Sequence, residues 1–445
     1  MHITVVGTGY VGLVSGVCLS EKGHNIVCVD NDIDKVKSIN NKVSPIYEDG
    51  LDELLRKNIG KNLRASTDLY SSITNSEVSL IAVGTPFEKD LIDLSYIRQV
   101  SKEIGLALKN KSGYHVVIVK STVVPGTTDD VVIPLLEKYS GKKAGVDFGV
   151  GMNPEFLREG VAVDDFMNPD RIILGGIDKD SHDVMKSLYQ VFKGVDVITT
   201  SNKTAEMIKY TSNSLLATLI SFSNEIGNLC SILGGIDSVD VMNGVHLDKR
   251  VSPILGDGQR IKPGIVSYIE PGCGFGGSCF PKDVKALISH GESKNQSMSL
   301  LKSVIEINKK QPKQMIDRLL NHYPNIKGMT ISVLGLAFKP GTNDMRESPA
   351  IYIVNEIIRL GGVVHAFDPV AELEAKKIFI SENILYFDSV KSAIKDSSVI
   401  MLITSWPEFK NIPKITKNLK DSPLVIDGRR MLSKVDFERY EGIGV

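Results

Sequence analysis

The stretch His2-Ile3-Thr4-Val5-Val6-Gly7-Thr8-Gly9-Tyr10-Val11-Gly12 decides the fold of this chain. A short β-branched run leads into a G-x-G-x-x-G turn, and the apolar run from Leu13 to Lys22 continues as a helix. A second strand, Asn25 to Val29, ends in the acid Asp30. Strand, glycine turn, helix, strand and acid in this order predict a dinucleotide-binding unit; the alternative is a purely structural turn.

Each residue of this turn has a physical task in that interpretation. Gly7 permits the tight turn, Gly9 lets the backbone approach a pyrophosphate, and Gly12 allows close helix packing, with Tyr10 and Val11 completing the loop. Asp30, 18 residues beyond Gly12, would accept hydrogen bonds from ribose hydroxyls. A carboxylate there repels a 2′-phosphate, so the sequence favours NAD over NADP.

Composition limits the remaining possibilities. A chain of 445 residues should divide into two or three domains. Hydrophobic residues at 42% and charged residues at 24% are ordinary values for a packed protein, and a net charge of -1 argues against a nucleic-acid partner. Five cysteines with no CxxC or CxxH pair indicate free thiols in a reducing cytoplasm and no metal site. The sequence has no uninterrupted apolar run of about 18 residues, so no membrane partner is expected.

Three further strands are predicted, Val78 to Val83, His115 to Val119 and Phe148 to Gly151. The carboxyl ends of parallel strands form the ligand crevice of a doubly wound sheet. The polar residues that follow these strands, Thr85, Ser121, Thr122 and Glu155, should therefore lie along one edge. Glu155 considered alone is better explained as a surface acid or a helix-start charge than as a functional group.

The second half of the chain repeats the α/β pattern after a long helix. Residues 203–233 contain no proline and predict one helix that connects domains and offers a subunit interface. Lys209 and Asn213 share a face of it, although a lone lysine on a helix is usually solvated. A helical segment from Ser299 to Tyr323 precedes a strand, Thr330 to Leu334, and a helix, Pro349 to Arg359. The predicted fold is α/β, with two Rossmann-like doubly wound domains joined by a long central helix and a helical dimerisation region.

The turn Gly274-Phe275-Gly276-Gly277-Ser278-Cys279-Phe280-Pro281 places a thiol at the start of a predicted helix. Free backbone N–H groups and the positive dipole end favour a thiolate there. The glycines remove side chains around the thiol, which would let a ligand approach the backbone. From the turn alone, Cys279 is a nucleophile or a buried thiol with similar weight.

Taken together, these motifs resemble the UDP-glucose dehydrogenase branch of the nucleotide-sugar dehydrogenases over essentially the whole length. The resemblance rests on GTGYVGLVSG (7–16), VGTP (83–86), KSTVVPGT (120–127), NPEFLREG (153–160), AEMIKYTSNS (205–214), GFGGSCFPKD (274–283), GLAFKPGTNDMRESPA (335–350) and DGRR (427–430). It implies three domains: NAD-binding 1–200, central dimerisation 201–300 and UDP-sugar-binding 301–445.

The resemblance implies a four-electron oxidation of a UDP-glucose C6 alcohol to a carboxylate, with two hydride transfers to NAD. Cys279 would carry a thiohemiacetal and then a thioester, which water hydrolyses. Lys209 and Asn213 match groups that stabilise the oxyanion. Asp283 and Thr122 match groups placed at the catalytic water, for which Glu155 is the implied base.

The resemblance also assigns binding residues. Those implied for NAD are Gly7, Gly9, Tyr10, Val11, Gly12, Asp30, Lys35, Thr85, Ser121, Thr122, Glu159, Lys282 and Arg346. Those implied for the UDP-sugar are Glu155, Phe156, Leu157, Lys209, Asn213, Arg260, Tyr268, Gly276, Phe338, Lys339 and Arg429, the last being the least distinct because Arg430 is adjacent. Arg260 is implied to reach the site of a neighbouring subunit in a homodimer.

Two alternatives stay open at this level. The substrate would instead be another nucleotide sugar, such as GDP-mannose or an N-acetylhexosamine uridine diphosphate, because sugar choice depends on pocket shape. The chain would instead be a non-catalytic NAD-sensing or scaffold protein that kept the fold. The joint presence of Cys279, Lys209, Asn213 and Asp283 argues against the second alternative, since a scaffold needs none of them.

Overall fold

The computed structural model describes residues 1–88, 90–419 and 421–445. These residues form two compact units, Met1–Ser212 and Asn213–Val445. The boundary between the units falls within a 32-residue helix, Asn202–Leu233. The long connecting helix predicted over 203–233 is confirmed, whereas the three-domain division stays a prediction.

The N-terminal unit is built on an eight-stranded sheet. Its strands are β1 (His2–Val6), β2 (Asn25–Val29), β3 (Leu63–Ser66), β4 (Val78–Ile81), β7 (Val116–Val119), β8 (Gly149–Met152), β9 (Arg171–Gly176) and β10 (Asp196–Thr200), and a small hairpin adds β5 (Phe87–Glu88) and β6 (Leu91–Ile92). The order is β10-β9-β8-β7-β4-β1-β2-β3, with β9 antiparallel to β8. The predicted strands β4, β7 and β8 are parallel as expected, whereas β9, which was not predicted, runs antiparallel to β8.

Helices cover both faces of this sheet. They are α1 (Tyr10–Glu21), α2 (Ile33–Asn40), α3 (Leu51–Asn58), α4 (Leu69–Thr74), α5 (Ser95–Lys109), α6 (Ile133–Ser140), α7 (Ala162–Met167), α8 (Lys179–Tyr189) and α9 (Asn202–Leu233), with a π-helical turn at Thr128–Val132. Adjacent residues of a strand point to opposite faces. Val5 therefore joins the core that contains α1, whereas Val6 joins the core that contains α5.

The C-terminal unit holds a parallel six-stranded sheet of order β13-β12-β11-β14-β15-β16, made of β11 (Thr330–Leu334), β12 (Val363–Phe367), β13 (Ile384–Tyr386), β14 (Val399–Leu402), β15 (Leu424–Asp427) and β16 (Tyr440–Gly442). Its helices are α10 (Ser238–His246), α11 (Phe280–Ser293), α12 (Ser299–Lys310), α13 (Lys313–His322), α14 (Pro349–Arg359), α15 (Glu372–Ile378), α16 (Val390–Ile394) and α17 (Ile412–Thr416), with 3₁₀ turns at Gly264–Tyr268, Pro407–Asn411 and Lys434–Asp436. The predicted fold of two doubly wound α/β domains is confirmed. The single helical segment predicted over Ser299 to Tyr323 is wrong, because Pro312 lies between α12 and α13 and cannot donate a helical hydrogen bond.

Helix α9 is the one helix of the described chain that is long and apolar enough to cross a membrane by length and composition. Buried polar side chains of α9 form hydrogen bonds with other groups of the protein. Ser221 Oγ donates to the Val304 carbonyl at 2.9 Å, and Asn213 Nδ2 donates to Asp283 at 2.6 Å. Polar pairing of this kind is typical of a core helix, which passes the same length and composition test.

Candidate active site

The glycine turn between β1 and α1 leaves room for a ligand at one position only. Gly7 has φ +97°, and a Cβ on Gly12 would lie 1.9 Å from the Gly7 carbonyl oxygen. A Cβ on Gly9 would meet nothing within 4 Å, and Gly9 is exposed directly before the first turn of α1. Open space at a helix N-terminus fits a pyrophosphate. Packing therefore requires Gly7 and Gly12, whereas the position of Gly9 has space for a ligand.

Asp30 lies at the end of β2, beside this turn. Its Oδ2 accepts from the backbone N–H and the hydroxyl of Thr8, each at 2.7 Å, and its Oδ1 accepts from the Asp32 N–H at 3.0 Å. Burial acts to raise the pKa of Asp30, but these hydrogen bonds outweigh it and the pKa is lowered. Asp30 is thus an ionised acceptor at neutral pH, which suits ribose hydroxyls. Lys35 lies nearby, 3.9 Å from Asp32.

Tyr10 takes part in a group of hydrogen bonds around Glu48 that the sequence does not predict. Its hydroxyl donates to Glu48, whose two oxygens accept from the backbone N–H groups of Gly160 at 2.7 Å and Ala162 at 2.6 Å. Burial and the neighbouring Glu48 raise the pKa of Tyr10. These hydrogen bonds hold the segment that follows the buried residue Glu159 against α1. No local pattern around Glu48 indicates this contact. Val11 packs against the same core.

The polar residues after β4 and β7 come together as predicted from neighbouring strands. Thr85 Oγ1 donates to the Thr122 carbonyl at 2.8 Å. Ser121 Oγ donates to the Val83 carbonyl at 2.7 Å. These bonds fix the two strand-end loops to each other. The Thr122 side chain is half-buried.

Glu155 and Lys209 form a buried ion pair within the N-terminal unit. Lys209 Nζ lies 2.9 Å from Glu155 Oε1, with exposed fractions of 3% and 5% for the two side chains. Burial acts to raise the pKa of Glu155, but Lys209 and the Leu157 N–H, 2.6 Å from Oε2, lower it. A surface acid and a solvated lysine are therefore both excluded.

The ring of Phe156 lies beside this pair. Lys209 Nζ is 5.5 Å from the ring centroid, and the guanidinium of Arg171 is 4.0 Å from it. A cation near an aromatic face is stabilised by the ring quadrupole. The pair thus combines a carboxylate that stays ionised at neutral pH with an ammonium group held in a defined position. Leu157, the next residue, is partly buried against the core.

A second buried group centres on Asp283 in the C-terminal unit. Asp283 is 1% exposed, and its oxygens accept from Asn213 Nδ2 at 2.6 Å and Lys282 Nζ at 2.7 Å. Asp283 lies in the first turn of α11, where the helix dipole also favours a negative charge. Lys282, implied for NAD, is thus paired with its neighbour inside this unit.

Cys279 occupies the position directly before α11, with Pro281 in the first turn as predicted. The other four cysteines, Cys18, Cys28, Cys230 and Cys273, are buried, whereas Cys279 is partly exposed. Burial raises the pKa of Cys18 and of Cys28 to about 12. Cys279 Sγ lies 3.5 Å from the hydroxyl oxygen of Ser278. Of the two alternatives for Cys279, a buried thiol or an accessible one, its partial exposure supports the accessible thiol.

The glycines before Cys279 serve packing more than the sequence suggested. A Cβ on Gly276 would lie 2.3 Å from the Glu347 carbonyl oxygen. Gly277 has φ +84°, and its Cβ would lie 2.7 Å from the ring of Phe338. The protein's own backbone and an aromatic ring thus fill the space that a side chain would need at these two glycines. The approach of a ligand to their backbone stays a prediction.

Three of the four cations implied for the nucleotide sugar, Arg260, Lys339 and Arg429, lie in the C-terminal unit, whereas Lys209 lies in the N-terminal unit. Arg429 donates to the carbonyls of Ile403 at 2.6 Å and Gly274 at 3.0 Å, which joins the cysteine turn to the end of β14. Lys339 Nζ lies 5.7 Å from the Phe338 ring centroid, and Arg260 donates to the Leu247 and Ser252 carbonyls. The ring centroids of Tyr268 and Phe280 lie 6.3 Å apart. Arg346, implied for NAD, pairs with Asp344 at 2.8 Å.

Comparison with known proteins gives consistent matches along the chain. Models of the UDP-glucose/GDP-mannose dehydrogenase family match as the NAD binding domain over residues 1–193, the central domain over 203–310 and the UDP binding domain over 332–434. A Bacillus subtilis protein named UDP-glucose 6-dehydrogenase TuaD is 41% identical over 99% of this chain and 93% of its own length.

Solved structures agree with this match. A UDP-glucose dehydrogenase from Pyrobaculum islandicum superposes with a TM-score of 0.89 at 33% identity, covering 99% of this chain and 97% of that one. A UDP-D-ManNAc dehydrogenase from Pyrococcus horikoshii superposes with a TM-score of 0.84 at 28% identity, covering 100% and 99%.

Proposed function

The chain belongs to the UDP-glucose/GDP-mannose dehydrogenase family, and on that premise we propose that it oxidises the C6 alcohol of UDP-glucose to the carboxylate of UDP-glucuronate. It is an NAD-dependent oxidoreductase, since its N-terminal unit carries the family's NAD-binding domain. The observation that carries the proposal is the accessible thiol of Cys279 at a helix N-terminus, in a chain whose other cysteines are buried.

The thiol is needed because the reaction removes four electrons in two steps. Two NAD⁺ each accept one hydride from C6. After the first oxidation, the Cys279 thiolate adds to the aldehyde carbon and forms a thiohemiacetal, which prevents loss of the aldehyde. The second oxidation leaves a thioester, and water displaces the thiol. In sum, one alcohol, two NAD⁺ and one water give one carboxylate, two NADH and three protons.

The proposed roles of the surrounding groups follow from their charge. Glu155, held ionised, accepts the proton of the hydrolytic water. Lys209 supplies positive charge, and Asn213 a hydrogen bond, to the oxyanion. Asp283, with Thr122, orders the water. Phe156, Leu157, Tyr268, Phe338, Lys339 and Arg429 are proposed to line the nucleotide sugar, with Arg429 shaping the loops that its guanidinium already joins.

Counting NADH formed per UDP-glucose consumed tests the proposal. Two NADH support the full oxidation, one indicates a simple alcohol dehydrogenase, and none refutes an oxidation of this sugar. A positive result with only another nucleotide sugar would move the substrate assignment within the family. Replacing Cys279 with serine should stop turnover before the carboxylate, whereas Cys230→Ser, at a buried thiol, serves as the matched control.

We further propose that a second copy of the chain covers one face of α9. Leu215, Phe222 and Leu229 are spaced seven residues apart, so they share a face, and their exposed fractions are 51%, 49% and 50%. Large apolar side chains repeated along one helix face are typical of a helix interface. Arg260 is then the residue proposed to serve the neighbouring site.

Sedimentation of the wild type and of Phe222→Glu tests this proposal. A dimeric wild type and a monomeric variant support it. A monomeric wild type, or a variant that stays dimeric, contradicts it. Leu373→Glu, which places the same charge at an exposed apolar residue of α15, away from α9, is the control.

The five cysteines, none of them in a disulfide, and the net charge of -1 support a cytoplasmic location without nucleic-acid or membrane partners.

A further inference from the structure

A second buried lysine lies close to the Glu155–Lys209 pair and has no role in the chemistry above. Lys120 directly follows β7 and is 4% exposed. Its Nζ donates to Asn153 Oδ1 at 2.8 Å and lies 5.7 Å from the ring centroid of Phe166. Burying an ammonium group is costly unless other charges and hydrogen bonds compensate it. Its retention in the interior calls for a functional explanation.

Asn153 connects Lys120 to the loop that carries Glu155. The Asn153 side-chain oxygen accepts from Lys120 and also from the hydroxyl of Tyr189, and its amide nitrogen donates to the Ile173 carbonyl at 2.8 Å. Two donors on the oxygen and one acceptor at the nitrogen define the orientation of the amide. Asn153 is two residues before Glu155, so the network fixes the start of that loop.

The charges around Glu155 come from two different elements. Lys209 approaches from α9, Lys120 from the end of β7, and the Leu157 N–H belongs to the loop itself. Both lysines act to keep the carboxylate ionised. Burial lowers the pKa of Lys120 to about 8, Glu155 opposes that change, and Lys209 adds to it. Glu155 is thus paired with one ammonium group, that of Lys209, and is also under the electrostatic influence of a second, that of Lys120, which is bound to Asn153.

Two cations are needed because the proposed reaction gives Lys209 two tasks. Lys209 must neutralise Glu155 in the resting protein and must also attract the oxyanion at C6. A cation drawn toward a second anion compensates the first one less, and a buried carboxylate that loses compensation takes up a proton. A proton on Glu155 would prevent it from acting as a base.

We propose that Lys120 is a positioning residue that keeps Glu155 ionised and oriented as the base for hydrolysis while Lys209 serves the oxyanion. This inference rests on the proposed function. Lys120 acts through Glu155 and through Asn153, and it does not itself contact the substrate.

The pH dependence of turnover separates this role from a purely structural one. Lys120→Met and Tyr189→Phe each remove one donor from the same Asn153 oxygen, but only the first removes a charge. Lys120→Met should move the acidic limb of the kcat profile upward by about half a unit to one unit, since a nearby opposite charge lowers a carboxyl pKa by about that amount or more. Tyr189→Phe should leave the limb in place, and Lys120→Arg should restore it.

A second neutral variant guards against misfolding. Lys120→Gln keeps a donor for Asn153 and lacks the charge, so it should shift the limb like Lys120→Met. Equal shifts in Lys120→Gln and Tyr189→Phe, or no shift in either neutral lysine variant, would overturn the inference.

A measurement without turnover separates failure of this inference from failure of the proposed function. The carboxyl ¹³C resonance of Glu155, assigned by its loss in Glu155→Gln, reports the pKa of Glu155 in the full-length protein directly. It should titrate at higher pH in Lys120→Met than in Tyr189→Phe, whatever the substrate. An unchanged titration overturns the role of Lys120, whereas absent NADH formation in the wild type overturns the proposed function.

Discussion

Replacing Lys209 with methionine will leave the carboxylate of Glu155 buried without its ion-pair partner. The two side chains are 3% and 5% exposed and their charged atoms lie 2.9 Å apart. Methionine keeps most of the length and the apolar character of the lysine side chain, although the ammonium group and its contact with the Phe156 ring are lost. The variant therefore measures the charge more than the packing.

Removing one partner of a buried ion pair costs about 3–5 kcal/mol in the free energy of unfolding, because the other charge stays uncompensated. The charge of Lys120 still acts on Glu155 in the variant. We therefore expect the lower end of that range, about 3 kcal/mol at pH 7. An exposed pair offers the comparison. Lys179 and Asp183 are 85% and 48% exposed, and Lys179→Met should change the free energy of unfolding much less than Lys209→Met does.

The sign of the pH dependence follows from Glu155. In the wild type its pKa lies below the ordinary 4.5, so the pair stabilises the fold above the unfolded pKa and this stabilisation is lost as the pH falls through the folded pKa. In Lys209→Met, burial raises the pKa of Glu155, and the folded variant takes up a proton as the pH falls. The difference between the two proteins should therefore be largest near pH 7 and smaller near pH 4.5.

Urea unfolding followed by far-ultraviolet circular dichroism at both pH values measures these differences. A double-mutant cycle adds Glu155→Gln, and the double variant should lose much less than the sum of the single losses. A loss below about 1 kcal/mol at pH 7 would place the pair in a solvated environment. Additive losses, or a loss that does not change with pH, would refute the coupling.

Two further predictions concern the N-terminal unit. Gly12→Ala should lower both the melting temperature and the affinity for NADH, because its Cβ would lie 1.9 Å from the Gly7 carbonyl oxygen. Gly9→Ala should keep the melting temperature and lower only the affinity for NADH. Thermal melts and NADH fluorescence titration check this, and equal melting temperatures in the two variants would contradict it. Burial raises the pKa of Glu206 to about 7 from 4.5 against its hydrogen bonds from Thr128 and Gly126. The folded state then holds this proton more tightly than the unfolded state, so Glu206 makes the free energy of unfolding fall as the pH rises between about 4.5 and about 7. Unfolding at pH 5 and pH 7 should show a smaller fall for Glu206→Gln, and an unchanged fall would show that Glu206 is ionised throughout.

The sequence predicts the bounds of strands and helices well where strong start and stop signals flank them. Thr330–Leu334 and Pro349–Arg359 have the predicted bounds, because a β-branched run and a proline at the helix start mark them. Strand β9 is not among the predicted strands, and a hydrophobic pattern does not encode the direction of a strand. Pro312 marks the break between α12 and α13 in the sequence itself.

The sequence names candidate site residues one by one, and these stay predictions, but it does not predict how they pair. Glu155 and Lys209 each resemble a solvated charge in the sequence, because their burial arises from elements far apart in the chain. The same holds for the contact of Tyr10 with Glu48. At Gly276 and Gly277 the structure adds a reason for glycine that the sequence does not show, since a carbonyl group and an aromatic ring occupy the space of a side chain.

Each unit contains a strand, a turn, a helix and a second strand that ends in an acid, but the two turns differ in the space that they leave for a ligand. In the N-terminal unit, Gly9 is exposed and its Cβ direction is open. In the C-terminal unit the corresponding acid, Asp368, accepts from the N–H groups of Leu336 at 2.7 Å and Ala337 at 3.1 Å. Ala337 is fully buried, and its carbonyl accepts from Thr404 at 2.6 Å. This second turn donates these N–H groups within the protein, so the turn with open space before a helix is the one in the NAD-binding domain.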